Sequence, residues 1–406
     1  MSVTLDDIRE AAERIRGVAS RTPVLRVRSL EQVAGRPLFL KMENMQRTGS
    51  FKIRGAYNKI SRLSEEERAR GVVAASAGNH AQGVALAAAQ VGTRAVIVMP
   101  QGAALPKVMA TRGYGAEVVL HGDTYDAAYQ RAREIERERG LVYVHAFNDP
   151  AIIAGQGTVA LEILEDVPDA DAVVVPIGGG GLISGVAVAV KALRPGARVI
   201  GVQAEGAAAV YESRRAGRPV ELERVRTVAD GLAIKRPEEL TLKLIERYVD
   251  DIVLVSEDSI ARAIMLLAER AKAVVEGAGA VALAAVLSGR VPPAERTVLV
   301  VSGGNIDLIQ LARVIDHGLA QDGRYVRVVT TLVDRPGSLR DFLNVVAEAG
   351  ANVIEVEHRR LRQGIALGET DIELTLETRN AEHAAETLRR LRAAGYRVTV
   401  ASGAEG

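Results

Sequence analysis

A lysine in the segment 50–56, Ser-Phe-Lys-Ile-Arg-Gly-Ala, has surroundings that suit carbonyl chemistry. Lys52 follows an aromatic residue and a predicted turn at Thr48-Gly49, and it stands at the predicted start of a helix. Neighbours that remove water from an ammonium favour the neutral amine, which is the form that attacks a carbonyl to give a Schiff base. On this heptapeptide alone the plainer interpretation, a first-turn lysine whose head reaches water, is favoured. Three further segments change that balance.

The second segment, 76–83, reads Ser-Ala-Gly-Asn-His-Ala-Gln-Gly and lies between a predicted strand and a predicted helix. Backbone N–H groups at a helix start bind anions, and a glycine lets a ligand approach the backbone closely. A substrate carboxylate would suit this position. The alternative is that Asn79 and His80 only cap the helix, and for His80 that alternative stays open.

The third segment, 176–182, reads Pro-Ile-Gly-Gly-Gly-Gly-Leu, again between a predicted strand and helix. Four consecutive glycines cost conformational entropy, so a group is expected to approach the backbone closely. A phosphate held by amide N–H groups and the helix dipole is the natural candidate. The spacing lacks the last glycine of a dinucleotide-binding motif, and no Gly-Lys-Ser/Thr of a nucleotide P-loop follows.

The fourth segment, 302–305, reads Ser-Gly-Gly-Asn and closes the predicted strand 297–301. Its hydroxyl would suit a ligand's ring nitrogen, although alone the segment is only a tight turn. All four segments fall at the carboxyl ends of predicted strands, which is where open α/β sheets bind ligands.

The elements that must position these segments alternate as far as Val314. Short, β-branched strands separated by helices indicate largely parallel α/β sheets, buried on both faces. The strands are predicted at 37–42, 72–75, 95–99, 117–120, 142–145, 172–176, 199–202, 252–255 and 297–301.

Beyond a predicted linker, 317–326, the order of elements changes. Strands are predicted at 326–333, 352–359, 371–378 and 396–400, and helices at 338–349 and 381–394. This βαββαβ order is that of the ferredoxin-like fold. The sequence therefore predicts a catalytic domain over 1–316 and a second domain over 327–402.

The composition is that of an ordinary globular protein of two or three domains. With 48% hydrophobic residues, 25% charged residues and a net charge of +1, it gives no reason to expect a nucleic-acid or membrane partner. The absence of cysteine excludes a disulfide framework, a thiolate metal site and a cysteine nucleophile. Residues 1–10 lack the apolar core of a signal peptide, so the cytoplasm is the expected location.

Taken in order, the four segments resemble those of the threonine dehydratase and serine racemase group, which are fold-type II pyridoxal phosphate enzymes of the tryptophan synthase β superfamily. The resemblance covers about Thr4 to Val314. It implies two open α/β subdomains, pyridoxal 5′-phosphate as cofactor and an amino acid as substrate. The implied activity is removal of ammonia from L-threonine and L-serine, with serine racemisation as an alternative within the group. A non-catalytic amino-acid sensor is the alternative from another class.

The resemblance also assigns roles to individual residues. Lys52 matches the lysine that holds the cofactor covalently and moves the Cα proton. Phe51 matches the residue beside the cofactor ring, Asn79 the side chain that meets the phenolic oxygen, and Ser302 the hydroxyl at the pyridine nitrogen. A neutral hydroxyl there leaves the ring a weaker electron sink, which favours prompt loss of a β-leaving group.

The remaining site residues are assigned in the same way. The cofactor phosphate is expected at Gly178, Gly179, Gly180, Gly181 and Leu182, and the substrate carboxylate at Ser76, Ala77, Gly78, Asn79 and His80. Asn148 matches a position near the substrate, although it is equally a turn residue. Racemases of the group have a serine at the position of Ala77, and alanine cannot carry a proton. Dehydration is therefore expected to dominate, with Ser76 as the only neighbouring candidate for a second acid/base.

The resemblance leaves the choice between threonine and serine open, and no metal residue is assigned. Family members often bind a cation with acids that follow a strand like 199–204. Glu205 fits that pattern, but Tyr211 stands where racemases have an aspartate. A divalent-ion site is therefore not expected, and a monovalent ion stays open.

The C-terminal domain resembles the ACT domain, a regulatory module that binds amino acids. The similarity lies in Asp-Arg-Pro-Gly-Ser-Leu at 334–339 and Ala-Gly-Ala-Asn-Val at 349–353. It implies an effector site at Gly337, Leu339 and Asn352, a branched-chain amino acid as effector, and a homodimer or homotetramer. The plainer interpretation is that these segments start and stop a helix and that the domain only builds the oligomer.

Overall fold

The computed structural model describes residues 3–360 and 366–400. The chain divides into two compact units, Met1–Leu311 and Ala312–Gly406. Within the described ranges, none of the helices combines the length and the apolar character needed to cross a bilayer.

Among the described residues, the first unit contains thirteen α-helices and ten strands, and a fourteenth α-helix, α14, begins in the first unit and ends in the second. The helices are α1 Leu5–Ile15, α2 Arg28–Ala34, α3 Lys52–Ile60, α4 Glu65–Arg70, α5 Asn79–Val91, α6 Leu105–Gly113, α7 Tyr125–Arg139, α8 Pro150–Asp166, α9 Gly181–Leu193, α10 Ala209–Ala216, α11 Glu239–Tyr248, α12 Glu257–Ala271, α13 Gly277–Leu287 and α14 Leu308–Gln321. The strands are β1 Val24–Arg26, β2 Leu38–Met42, β3 Val72–Ala75, β4 Ala95–Met99, β5 Glu117–Leu120, β6 Val142–Tyr143, β7 Ala172–Pro176, β8 Arg198–Ala204, β9 Asp251–Val255 and β10 Thr297–Val301.

These strands form two open sheets, as predicted. The larger has the order β1-β2-β10-β7-β8-β9, and the smaller has the order β5-β4-β3-β6. All pairings are parallel except that of β1 with β2. The strands β7 and β10 are buried throughout, which is why their sequences are runs of valine rather than alternating patterns.

Both faces of the smaller sheet are covered. Val72, Ala74 and Ile97 belong to one buried cluster, whereas Val73 and Val96 belong to another. Alternate residues of one strand therefore enter different cores, as the two-residue period of a strand requires. The predicted strands are confirmed, with bounds that shift by a few residues.

Two details of the first unit differ from the prediction. The edge strand β1 was not predicted, because its three partly exposed residues are too few to show a period. The strand predicted at 142–145 ends at Tyr143. Its chain then turns at His145, whose Nδ1 accepts hydrogen bonds from the N–H groups of Phe147 and Asn148.

The second unit has the predicted βαββαβ order. Its elements are β11 Tyr325–Val333, α15 Ser338–Glu348, β12 Asn352–Arg359, β13 Glu369–Glu377, α16 Ala381–Ala393 and β14 Val398–Val400. The antiparallel sheet has the order β12-β13-β11-β14, and its core includes Val328, Phe342 and Leu374. Residues 401 and 402 of the predicted domain lie outside the described residues.

The linker predicted at 317–326 is wrong for most of its length. Helix α14 continues to Gln321, and β11 begins at Tyr325. Gly318 lies inside the helix, where a single glycine costs about 1 kcal/mol and does not end it. The chain turns out of the helix at Gly323, which has a positive φ of 65°. The carbonyl of Gly318 still accepts a hydrogen bond from the N–H of Asp322.

Buried ion pairs anchor α3, the helix that begins at Lys52. Arg54 is fully buried, and its guanidinium donates to Glu43 Oε1 at 2.8 Å and to Glu162 Oε1 at 2.6 Å. Its Nη1 also donates to Thr158 Oγ1 at 3.2 Å. Because each charged group has an opposite partner and further hydrogen bonds, the network is tolerated inside the protein.

We predict that Arg54→Ala strongly destabilises the first unit. It leaves the buried carboxylate of Glu43 without its guanidinium, and removing one partner of a buried pair costs about 3–5 kcal/mol. The measurement is the midpoint of urea unfolding of the cofactor-free protein. The matched control is Arg9→Ala, whose ion pair with Asp6 is exposed and is worth at most about 1 kcal/mol. Equal midpoints for the two variants would contradict the anchoring role.

Candidate active site

A cavity of about 530 Å³ lies in the first unit, and the four sequence segments meet there. Open α/β sheets bind ligands at the carboxyl ends of their strands, and β3, β7 and β10 each end at this cavity. The predicted residues that line it are Phe51, Lys52, Ser76, Ala77, Gly78, Asn79, His80, Gly178, Gly179, Gly180, Gly181, Leu182 and Ser302.

Lys52 is the first residue of α3, and it is partly buried. Nζ donates to the carbonyl of Ala146 at 3.0 Å and lies 5.2 Å from the centre of the Phe51 ring. Burial lowers the pKa of Lys52 from 10.5 to about 8, against the opposing attraction of Glu276. The neutral amine is thus accessible near neutral pH, as covalent chemistry with a carbonyl requires.

Backbone N–H groups at the start of α5 face the cavity without protein partners. Among the described residues, none accepts a hydrogen bond from the N–H of Ala77, Asn79 or His80. The N–H of Gly78 donates to Ser76 Oγ at 3.2 Å. Helix α5 has no side-chain cap, so its first N–H groups and its dipole are available to an anion such as a carboxylate.

The side chain of His80 is structural. It is buried, and its Nε2 donates to the carbonyl of Val144 at 2.9 Å. Burial, with a contribution from Lys52, lowers the pKa of His80 to about 3. His80 is therefore neutral at physiological pH, and only its backbone N–H is placed to bind an anion.

The glycine loop 178–181 connects β7 to α9 with its N–H groups unpaired. Within the described part of the chain, no acceptor takes a hydrogen bond from the N–H of Gly178, Gly179, Gly180 or Gly181. A Cβ at Gly179 would lie 2.3 Å from the ring of Phe147. The close approach predicted from the glycines is thus made in part by the protein itself, and the free N–H groups at the start of α9 fit a phosphate.

Ser302 ends β10 beside the cavity, and its Oγ donates to the carbonyl of Ala278 at 3.2 Å. It is almost fully buried. A hydroxyl can turn its one hydrogen from the Ala278 carbonyl toward an uncharged ring nitrogen, whereas a carboxylate has no hydrogen to donate.

Asn148 does not line the cavity. Its backbone N–H donates to His145 Nδ1 at 2.8 Å, which is the turn role that the sequence left open. Its Oδ1 is buried, and no described group donates to it. Its predicted place near the substrate stays a prediction.

Glu276 is a cavity residue that the sequence analysis missed. Its Oε1 accepts from Asn79 Nδ2 at 2.6 Å, and burial, together with Asp230, raises the pKa of Glu276 to about 7. The signal was a single acid between Val274-Val275 and Gly277-Ala278-Gly279. A lone carboxylate in so apolar a run is seldom buried without a partner.

Lys107 and Asp230 were also missed. They line the cavity and form an ion pair at 2.5 Å between α6 and a single helical turn at Asp230–Leu232. Their positions 123 residues apart carry no local signal in the sequence. The described residues contain no group of three or more His, Asp or Glu side chains that could hold a metal ion.

A lysine of lowered pKa, two sets of unpaired N–H groups and a neutral hydroxyl in one cavity define a site for a phosphorylated carbonyl cofactor. The family model described as pyridoxal-phosphate dependent enzyme matches residues 15–303, and the model described as ACT domain matches residues 326–393. The chain belongs to the pyridoxal-phosphate dependent enzyme family, of fold type II, and has a C-terminal ACT domain.

The chain is also similar to individual named proteins. The chain is 52% identical to the L-threonine ammonia-lyase of Thermotoga maritima, over 98% of this chain and 99% of that one. The processed form of threonine deaminase isoform 2 from Solanum lycopersicum has a TM-score of 0.73 and 40% identity, over 77% of this chain and 86% of that one. Maize serine racemase has a TM-score of 0.74 and 38% identity, over 79% and 99%.

The residues present fit pyridoxal phosphate. Lys52 would hold its carbonyl carbon, the 178–181 loop its phosphate, and Ser302 its ring nitrogen. When bound, this cofactor supplies an electron sink for the charge that develops at a substrate's Cα. What the protein supplies is the position and protonation state of the groups around it.

We predict that covalent attachment of the cofactor to Lys52 stops accelerating above about pH 8, because the lowered pKa makes the amine neutral there. The measurement is the rate of absorbance change when pyridoxal phosphate is added to the cofactor-free protein, divided by the rate for acetyl-lysine amide at the same pH. Dividing by the free amine removes the cofactor's own titration. The ratio should be constant below about pH 8 and fall about tenfold per unit above it.

The controls for this experiment are two lysine variants. Lys52→Ala should remove covalent attachment and turnover, although the 178–181 loop still offers N–H groups to the phosphate. Lys243→Ala, at an exposed lysine, should attach the cofactor normally. A ratio that stays constant to pH 9.5 would mean that Lys52 titrates as an ordinary lysine.

Proposed function

We propose that the protein is an L-threonine ammonia-lyase that also accepts L-serine. It converts threonine to 2-oxobutanoate and ammonia, and serine to pyruvate and ammonia. The observation that carries the proposal is the position of Lys52 beside the unpaired N–H groups of Ala77, Asn79 and His80 in one cavity. The 52% identity to an L-threonine ammonia-lyase, over nearly the full length of both chains, supports it.

The residues divide the work of the reaction. The N–H groups at the start of α5 hold the substrate carboxylate, which places the Cα–H bond near Lys52. The Lys52 amine would remove the Cα proton as a general base. The β-hydroxyl leaves with one proton as water, which balances the proton taken from Cα, and hydrolysis of the enamine then gives the 2-oxo acid and ammonia.

Two alternatives have weaker support. Serine racemases are among the similar structures, but racemisation needs a second acid/base on the face opposite Lys52, and Ala77 has no group that carries a proton. A non-catalytic amino-acid sensor would not need a lysine with a lowered pKa. Ammonia release from threonine, measured together with the absorbance of the bound cofactor, tests the proposal against the sensor.

We predict that elimination dominates over racemisation and that Ala77→Ser shifts this balance. With L-serine, the unchanged protein should form pyruvate much faster than D-serine, and Ala77→Ser should raise D-serine formation roughly tenfold or more, because it introduces a proton carrier. Chiral chromatography and a pyruvate assay measure the two products. The control is Ala89→Ser, at an exposed position of α5, the helix that follows Ala77.

Comparable rates of D-serine and pyruvate formation by the unchanged protein would contradict this assignment. In that case Ser76 would be the group responsible, since its hydroxyl lies in the cavity one residue away. Ser76→Ala would then abolish D-serine formation.

We further propose that a branched-chain amino acid, isoleucine in particular, binds the ACT domain and changes the activity. Gly337 precedes α15 with a positive φ of 94°, and among the described residues none accepts from the N–H of Leu339. Asn352, at the start of β12, is exposed and donates to Glu377 at 3.1 Å. Such a helix start suits an effector carboxylate, and isoleucine is the end product of the biosynthetic route that threonine dehydration enters.

We predict that isoleucine binds the full chain and changes its kinetics. A coupling of about 1–3 kcal/mol is typical of allosteric effectors, which corresponds to a change of about fivefold or more in KM. Calorimetric titration with isoleucine and valine measures binding, with D-isoleucine as the control ligand. Gly337→Val should abolish binding, because a β-branched residue does not readily adopt a positive φ.

No heat with either amino acid, together with unchanged kinetics at millimolar concentrations, would leave the domain as an assembly unit only. A homodimer or homotetramer, a cytoplasmic location and a role in isoleucine biosynthesis are part of the same proposal. The supporting observations are the ACT domain and the cysteine-free composition.

A further inference from the structure

Two side chains that sequence reasoning did not assign to the site hold Asn79 in one orientation. Asn305 Nδ2 donates to the backbone carbonyl of Thr48 at 2.7 Å and to Asn79 Oδ1 at 2.7 Å. Asn79 Nδ2 in turn donates to Glu276 Oε1 at 2.6 Å. The two bonds between side chains form a relay that runs in one direction, from Asn305 through Asn79 to Glu276, while the bond to Thr48 fixes Asn305 to the main chain.

The direction of this relay is fixed by an acceptor at each end. One is the main-chain carbonyl of Thr48, and the other is the carboxylate of Glu276. A backbone carbonyl only accepts, so Asn305 must turn its nitrogen toward Thr48. The same nitrogen meets Asn79, which must therefore present its oxygen there and its nitrogen to Glu276. Rotating the Asn79 amide by 180° would oppose two donors at one contact and two acceptors at the other, and each unmade bond costs stability because these contacts are partly buried.

The backbone leaves room for the relay at two glycines. A Cβ at Gly49 would lie 2.3 Å from Asn305 Oδ1, and a Cβ at Gly303 would lie 2.2 Å from Glu276 Oε1. The two segments are joined by a hydrogen bond from the N–H of Gly304 to the carbonyl of Gly49 at 2.9 Å. Side chains at either glycine would displace the groups that orient Asn79.

We propose that Asn305 and Glu276 are positioning residues, which fix the Asn79 amide so that its second N–H donates to the phenolic oxygen of bound pyridoxal phosphate. An amide turned the other way would present its oxygen to that phenolic oxygen, and two acceptors repel. The inference rests on the cofactor part of the proposed function. Asn305 and Glu276 do not contact the cofactor in this proposal. They determine whether Asn79 presents its N–H or its oxygen to the phenolic oxygen.

The test reverses the relay between the side chains and gives up the bond from residue 305 to the carbonyl of Thr48. In Asn305→Asp the carboxylate cannot donate, so Asn79 must turn its nitrogen toward residue 305 and its oxygen toward Glu276. Adding Glu276→Gln to that variant supplies a donor for the turned oxygen. The double variant then has the same net charge as the unchanged protein. Glu276→Gln alone keeps an acceptor for Asn79 Nδ2 and so keeps the original orientation.

The measurements are the melting temperature of the cofactor-free protein, the dissociation constant for pyridoxal phosphate and the absorbance of the bound cofactor between pH 6 and 9. Relative to Asn305→Asp, the double variant should regain melting temperature. Relative to Glu276→Gln, it should bind the cofactor about tenfold more weakly and show a shifted pH dependence of absorbance. The matched control is Asn44→Asp, which also loses a donor to a backbone carbonyl, that of Val274, but lies outside the cavity lining.

A double variant that binds the cofactor as tightly as Glu276→Gln, with the same absorbance, would overturn the inference. The orientation of the Asn79 amide would then have no effect on the bound cofactor. All of these readouts are made without substrate, so ammonia release from threonine by the unchanged protein tests the proposed function separately. If the unchanged protein binds no pyridoxal phosphate, both proposals fail together.

Discussion

The site depends on two basic residues in one turn of α3. The protein keeps one of them charged and makes the other weakly basic. Arg54 stays charged in a fully buried position because Glu43 and Glu162 surround it. Lys52, two residues earlier, has the backbone carbonyl of Ala146 as its one hydrogen-bond acceptor among the described residues, and burial lowers its pKa to about 8. The anchored arginine holds the helix whose first residue is the weakly basic lysine. A strong ion pair at position 52 would stabilise the ammonium and remove the nucleophile.

Around that lysine, unpaired backbone N–H groups are available to anions. The starts of α5 and α9 each leave N–H groups without a protein acceptor among the described residues. These donors are fixed by the fold and carry no net charge, so they would bind a carboxylate and a phosphate without competing for the Lys52 amine. Lys107, which also lines the cavity, is already paired with Asp230. Burial therefore remains the main cause of the lowered pKa of Lys52, with Glu276 acting against it.

Polar side chains in and next to the cavity form hydrogen bonds with residues that are far away in the sequence. Asn79 meets Glu276 and Asn305, which are 197 and 226 residues away. Each of these groups would be costly to bury alone, and together they satisfy one another. Glu276 has a pKa raised to about 7 by burial, so its carboxylate is near the point where it titrates. The amide of Asn79 is held in spite of that, because Asn305 is oriented by a backbone carbonyl that does not titrate.

The sequence by itself determined the alternation of strands and helices, the βαββαβ unit and the four segments that line the cavity. Those features are local: a buried strand is a run of β-branched residues, and a glycine-rich helix start is visible in a few letters. Only the tertiary structure decided that 317–321 continues α14, that His80 serves the fold through its side chain, and that Glu276 and Asn305 orient Asn79. Such contacts depend on which residues meet after the strands assemble, and no period or local motif records that meeting.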